Sequence, residues 1–240
     1  MRRIILFVFI SSQLLIGKAV LAQTKHEHSL WGAWFHTQRF SKHWGAMFDI
    51  QMRSADDVEY LRHTLLRPGV SYYFNNRQFT TLGYLYTYTR NQTDAGKTFR
   101  PEHRIWQQFI QAHTVHKNIA VQHRFRLEQR FVGSLNTQDA FFAQRLRYFI
   151  RGVIPFKRDS TFSKGMFLGL QNEVFTNVQN KDKVNGSFFD QNRAYAALGY
   201  RFNKSVDIEA GYLNQYVNGA GPANINNNII QVALYTRLSK

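Results

Sequence analysis

Arginine and carboxylate side chains recur at alternate positions of this chain, and together they could do one of two things. The set comprises Arg104, Arg124, Arg126, Arg130, Arg145, Arg147, Arg151 and Arg193 with Glu128, Glu173, Asp190 and Glu209, extended by Arg53, Arg201 and Asp207. A guanidinium stays charged at every relevant pH and grips a carboxylate or phosphate through two parallel N–H donors. Such residues either pair with one another into a network that cross-links walls and fills the space between them, or line a cationic constriction or cleft that takes an anion. An unpaired buried charge costs several kcal/mol, so most of the arginines are expected to find carboxylates. Arginine outnumbers acid, which leaves room for a bound anion.

Other chemistries have weaker support. An esterase or deacylase of the envelope needs a Ser nucleophile within reach of a His. No His is followed by Ser two residues later, and no G-x-S-x-G occurs. A site assembled across elements from His63, His103 or His123 with Ser71 or Ser134 stays open as the alternative, a lipid-modifying enzyme, but nothing singles it out. His26-x-His28 lies at the start of the mature chain and His113-x-x-His116 leads into a turn, and there is no Cys to complete a metal site. No catalytic residue, metal or cofactor is therefore assigned. Trp31, Trp34, Trp44 and Trp106 could stack on sugars, but the expectation for them is an aromatic belt.

The elements that position these residues are strands. Val121 to Phe131 puts Val121, His123, Phe125, Leu127 and Phe131 on one face and Arg124, Arg126, Glu128 and Arg130 on the other. The same alternation runs through eleven segments, approximately 28–38, 43–54, 60–74, 78–90, 102–115, 119–131, 141–155, 162–177, 189–202, 206–216 and 227–238. Most are long for a soluble protein, where five or six residues is typical, and about ten tilted residues cross a membrane core. Short connections such as 75–77, 116–118, 157–160 and 203–205 alternate with longer ones at 55–59, 91–101, 132–140, 178–188 and 217–226. This pattern predicts an all-β fold, an antiparallel up-and-down transmembrane β-barrel of about 10–12 strands with a polar lumen. The first strand breaks the rule, because it makes the count eleven and starts at the wrong end. Either a twelfth strand is missed or the N-terminal segment is not a regular wall strand.

Residues 1–22 read as a secretory signal peptide: Arg2 and Arg3, an apolar stretch from Ile4 to Ile16, and Val20-Leu21-Ala22 before the cut. Residues 23–240 then form one barrel domain, exported to the cell outer membrane, with 28 basic against 15 acidic residues. The whole chain carries a net charge of +16 and a pI near 10.2. Export argues against nucleic acid as the sink for that charge; an anionic membrane surface or a cationic lumen fits it better.

Four runs carry a resemblance: Glu102-His103-Arg104-Ile105-Trp106, His123 to Phe131, Phe189-Asp190-Gln191-Asn192-Arg193 and Glu209-Ala210-Gly211-Tyr212-Leu213. In these, and in their order along the mature chain, the protein resembles the exported bacterial family catalogued as domain of unknown function 2490. The resemblance implies a Gram-negative outer-membrane barrel and no activity. The expected role is a narrow, porin-like passage for small or anionic solutes, or a structural envelope component. Its expected partners are outer-membrane lipids and lipopolysaccharide, with barrel-assembly machinery and periplasmic chaperones during insertion; the sequence leaves its oligomeric state open.

Overall fold

The structure, a computed structural model, describes residues 23–239 apart from 56, 94, 95, 117, 134–139, 158–161 and 222. The proposed leader, Ser134 and part of the 157–160 connection lie outside the described residues. Eleven strands are present: β1 Gln23–Arg39, β2 Trp44–Ala55, β3 Tyr60–Tyr73, β4 Gln78–Thr93, β5 Gly96–Val115, β6 Ile119–Val132, β7 Phe141–Pro155, β8 Gly165–Gln179, β9 Phe189–Asn203, β10 Val206–Val217 and β11 Ala223–Ser239. Each pairs with its sequence neighbours, and β1 pairs with β11 to close the barrel.

The first strand is a full member of the wall, which corrects both expectations for it. No twelfth strand appears among the described residues, and the N-terminal segment is not irregular. An odd meander can close only if its first and last strands run the same way, so one seam of an otherwise antiparallel barrel is parallel. It runs without slippage from Gln23↔Ala223 to Arg39↔Ser239. Inside the barrel Phe35 stacks on Tyr235 at 4.9 Å. Outside, Trp34 Nε1 donates to Thr236 Oγ1 at 2.9 Å, and His36 Nδ1 lies 2.7 Å from the same hydroxyl. The start of β1 consequently sits at the end that carries the longer loops, opposite the end of β11. His26 and His28 lie within β1 rather than in a free N-terminal arm.

Local chemistry fixes where strands stop. Asn75 Oδ1 accepts the N–H groups of Arg77 and Gln78, and Asn203 Oδ1 accepts that of Ser205, so the side chains close these turns. At the opposite end Asn185 ties the 180–188 loop down: its Nδ2 donates to the carbonyls of Phe189 and Asn218, while its Oδ1 accepts from Ser187 N. The expected 91–101 loop is mostly strand, because β4 and β5 pair out to Thr93↔Gly96.

Burial is inverted relative to a water-soluble domain. Inward-facing Glu128 and Arg126 are 1% and 2% exposed, whereas outward-facing Val70, Leu82 and Ile230 are 54–59% exposed. Polar cross-strand pairs edge this apolar face toward the loop end, as in Asn214–Asn226 at 2.6 Å and Tyr212–Asn228 at 2.5 Å. Aromatic rings edge it toward the turn end, where Trp44, Tyr72 and Phe74 make successive edge contacts.

The seam gives a direct test. Ala33 and Ala233 are register partners on the inner face, and the chain has no native cysteine. An Ala33→Cys/Ala233→Cys variant is expected to form a disulfide on mild oxidation, seen as a mobility shift that reductant reverses. Ala33→Cys/Asn227→Cys, offset by six residues or roughly 20 Å, is expected not to. A cross-link in the second variant and none in the first would overturn the parallel register.

Candidate functional site

The candidate site is the lumen, and every charged residue singled out from the sequence faces it. Glu128 on β6 is its hub. Arg145 Nη2 and Arg147 Nη1 on β7 reach the Glu128 carboxylate at 2.7 and 2.5 Å, with Arg104 Nη1 at 3.8 Å and Arg126 Nη1 at 4.0 Å. Arg147 bridges onward to Glu173 on β8 at 2.7 Å, and Arg124 meets the same carboxylate at 2.7 Å. Arg145 spans to Asp190 at 2.8 Å. Arg104 and Arg130 both bind Glu102 at 2.6 Å, which links a third carboxylate to the hub through Arg104. These ten residues form one connected network over β5 to β9.

Two details of backbone geometry make the network possible. Antiparallel pairing sets Arg126 opposite Arg147 and Glu128 opposite Arg145, so the hub carboxylate lies beside its partners on the next strand. A register shift between Phe175 and Thr176, where Gln191 and Phe189 pair across from them, brings Asp190 as well as Gln191 to the inner face. The guanidinium planes also lie over rings: Arg147 over Phe175 at 4.3 Å, Arg124 over Phe149 at 4.3 Å and Arg126 over Trp106 at 4.5 Å.

Arg151 and Glu209 form a separate cluster toward the turn end. They pair at 2.5 Å, and Tyr235 Oη donates to Glu209 at 2.8 Å. Asp207 holds Arg201 at 2.8 Å and Arg237 at 2.7 Å nearby. The network at the middle of the lumen leaves little space: Arg126, Glu128, Arg147 and Glu173 are all buried, together with Trp106 and Phe175. Above it, toward the loop end, a cavity of ≈ 300 Å³ opens. Its walls carry six arginines, Arg53, Arg62, Arg104, Arg130, Arg145 and Arg193, against three carboxylates, Glu27, Glu102 and Asp190.

Several lumen residues were not singled out from the sequence. Trp31 and Trp106 are inside, at 5% and 1% exposed, which corrects the belt expectation for two of the four tryptophans; Trp34 and Trp44 do face outward. Phase was the available signal, because Trp31 has the parity of Glu27 and Ser29, and Trp106 that of Arg104 and Gln108. Glu27 pairs with Arg62 at 2.9 Å and Asp49 with Arg67 at 2.8 Å; these pairs needed the register of β2 and β3.

Among the described residues the serine and histidine candidates do not converge. Ser71 is buried against Thr81 Oγ1 at 2.9 Å. His103 and His123 face outward, beside the hydroxyls of Tyr84 and Tyr148, and His113 stacks on His123 at 5.2 Å. His63 faces the cavity, with Thr89 Oγ1 3.5 Å away. Among the described residues no histidine ring meets a serine hydroxyl, and no three potential metal ligands cluster.

A closed, mostly antiparallel β-barrel with an arginine–carboxylate lumen is thus the class of protein that the fold and site define. Within that class, residues 28–226 match the family described as Protein of unknown function (DUF2490), and the chain belongs to it. No curated protein and no solved structure matches.

The hub predicts a steep ranking of substitutions. Glu128→Gln strands two closely bound guanidinium groups and is expected to cost about 3–5 kcal/mol of folding free energy. Lys25→Ala, which removes a half-exposed lysine from the Lys25–Glu27 pair, is expected to cost about 0–1 kcal/mol. Urea unfolding of the barrel reads both, and equal costs would remove Glu128 from its place at the hub.

Proposed function

We propose that this protein is a non-enzymatic outer-membrane β-barrel, exported with cleavage after Ala22, whose charge network seals the lumen below an anion-attracting vestibule. It acts as a narrow, normally closed passage for small anions. The observation that carries this reading is the inverted burial: the chain hides its charges and exposes its large apolar side chains over the full circumference. Monomeric soluble proteins rarely expose apolar patches beyond a few hundred Å², whereas hydrocarbon solvates such a surface. The polar and aromatic edges of the apolar face fit the two interfaces of a bilayer. No helix among the described residues is long and apolar enough to cross a membrane, so in this reading the strands do the spanning.

Orientation follows from loop length. Outer-membrane barrels carry short periplasmic turns and longer external loops, which puts the vestibule outside and the Arg151–Glu209 cluster toward the periplasm. The start of β1 is then also external, so the parallel seam requires the mature N-terminus to be carried across during assembly. A salt-bridged seal suits a closed passage because it is specific but divisible: a small anion that competes for Arg124, Arg145 or Arg147 replaces a carboxylate without leaving a guanidinium bare.

Two measurements test the reading. The mature protein is expected in the outer-membrane fraction, and Phe125→Arg, a charge placed on the outward face near mid-height, is expected to cost about 2–4 kcal/mol of folding free energy in lipid vesicles. Recovery in a soluble fraction without detergent would sink it. In planar bilayers the wild type is expected to be closed or nearly so. Glu173→Gln, which leaves Arg124 without a carboxylate and Arg147 with Glu128 alone, is expected to open an anion-selective conductance. A wide, unselective conductance in the wild type would contradict a sealed lumen.

A further inference from the structure

The vestibule contains a cluster of donors that the charge network does not satisfy. Arg53 on β2 is 9% exposed and takes part in no salt bridge among the described residues. Its Nε and Nη2 both donate to one neutral acceptor, Gln51 Oε1, at 3.1 and 2.5 Å. Its guanidinium lies 4.0 Å from the ring of Trp31, its register partner on β1. Arg193 reaches the same ring, at 5.2 Å, from β9, three strands around the wall. It too takes part in no salt bridge among the described residues; its one hydrogen bond there is a long one to Gln191 Oε1 at 3.4 Å, and its Nε is buried without a partner. The Trp31 Nε1 is likewise buried without a partner. All three side chains line the ≈ 300 Å³ cavity.

The chemistry of this set is one-sided. Guanidinium and indole N–H groups can only donate, so what satisfies them must accept. Glu173 is the register partner of Arg193 but makes no salt bridge with it, and two guanidinium groups held against one indole outside salt-bridge reach of any described carboxylate are costly to bury. The lining as a whole carries three more arginines than carboxylates. Apolar packing fixes Trp31 from below, where it contacts Tyr195, Leu213 and Ile229, so the donors sit on a rigid floor. One lining acceptor, Asn227 Oδ1, is also buried without a partner, and it would accept from a hydroxyl on the same guest.

We propose that Arg53, Trp31 and Arg193 form a binding site for a small dissolved oxyanion, a phosphate or carboxylate group. The forked donors favour an oxyanion over a halide, because two oxygens on one centre match two N–H groups on one guanidinium. Asn227 fits the single hydroxyl of hydrogen phosphate. The cavity lies inside the wall and is lined by loop-end residues such as Val184, Val217 and Ile225, so the guest arrives from solution rather than from lipid. The site deepens the proposed function by naming what the vestibule concentrates, yet binding does not require passage: calorimetry on detergent-folded protein reads the site, and bilayer conductance reads the pore.

The test titrates folded protein with inorganic phosphate and, separately, with citrate, following heat and tryptophan fluorescence. Saturable binding of at least one is expected, with a fluorescence change that Trp31→Phe abolishes. Arg53→Gln/Arg193→Gln is expected to weaken binding at least tenfold. Arg53→Lys/Arg193→Lys, which keeps the charge but loses the forks, is expected to fall in between, so a misfolded glutamine variant would not decide the matter alone. Arg201→Gln, at the other end of the lumen and paired with Asp207, is expected to bind as the wild type does. No saturable binding of either anion to the wild type would overturn the proposal, as would unchanged affinity in both double variants.

Discussion

A carboxylate that is almost wholly removed from solvent, Glu128, organises the interior of this barrel. Moving a carboxylate out of water costs several kcal/mol even after relaxation, and two guanidinium groups within 2.7 Å compensate it here. Each of those arginines must in turn be balanced, and Glu173 and Asp190 do so from the next two strands. Burial of one charge therefore propagates into a requirement for its neighbours, strand by strand, across nearly half the wall. Arginine suits the task because one planar group can serve two carboxylates, as Arg145 and Arg147 both do, while its face packs on Phe175. The interior is dense and polar at once, and the strands cannot slip by one residue without turning these charges outward.

The outer surface follows from the same constraint. With the inner face given over to charge, the apolar side chains have only the outside left, which is the surface the proposed membrane location would cover. An odd strand number then forces the parallel seam between β1 and β11. That seam is held by a full register of seventeen pairs, by a ring stack on its inner face and by a tryptophan–threonine hydrogen bond on its outer face. Below the loops, the vestibule lining carries six arginines against three carboxylates, and two of those arginines, Arg53 and Arg193, make no salt bridge among the described residues.

Much of this was legible in the sequence. Alternation around Phe125 and Arg126 assigns inside and outside because a strand has period two, and Glu173 and Arg193 fall on the inner face by the same rule. Strand length and turn spacing gave the barrel. What alternation cannot supply is the partner, because contacts such as Arg145–Asp190 join residues 45 positions apart through a register shift no local pattern announces. Trp31 and Trp106 carry their signal in their phase, shared with Glu27 and Gln108, while the general preference of tryptophan for membrane interfaces points the other way. The first strand breaks the pattern because it makes the strand number odd and starts at the loop end, and an odd closed meander meets both conditions through one parallel seam.

The central claim is that the lumen is sealed below an accessible vestibule. Single cysteines in this cysteine-free chain test it directly, by the rate at which a small charged thiol reagent modifies the folded barrel. Ile225→Cys, half-buried in the vestibule lining at the loop end, is predicted to react readily. Ala197→Cys, on the inner face beneath Trp31 and 3% exposed, is predicted to stay protected until the barrel is unfolded. Comparable rates at the two positions would mean a continuous lumen and would contradict the account.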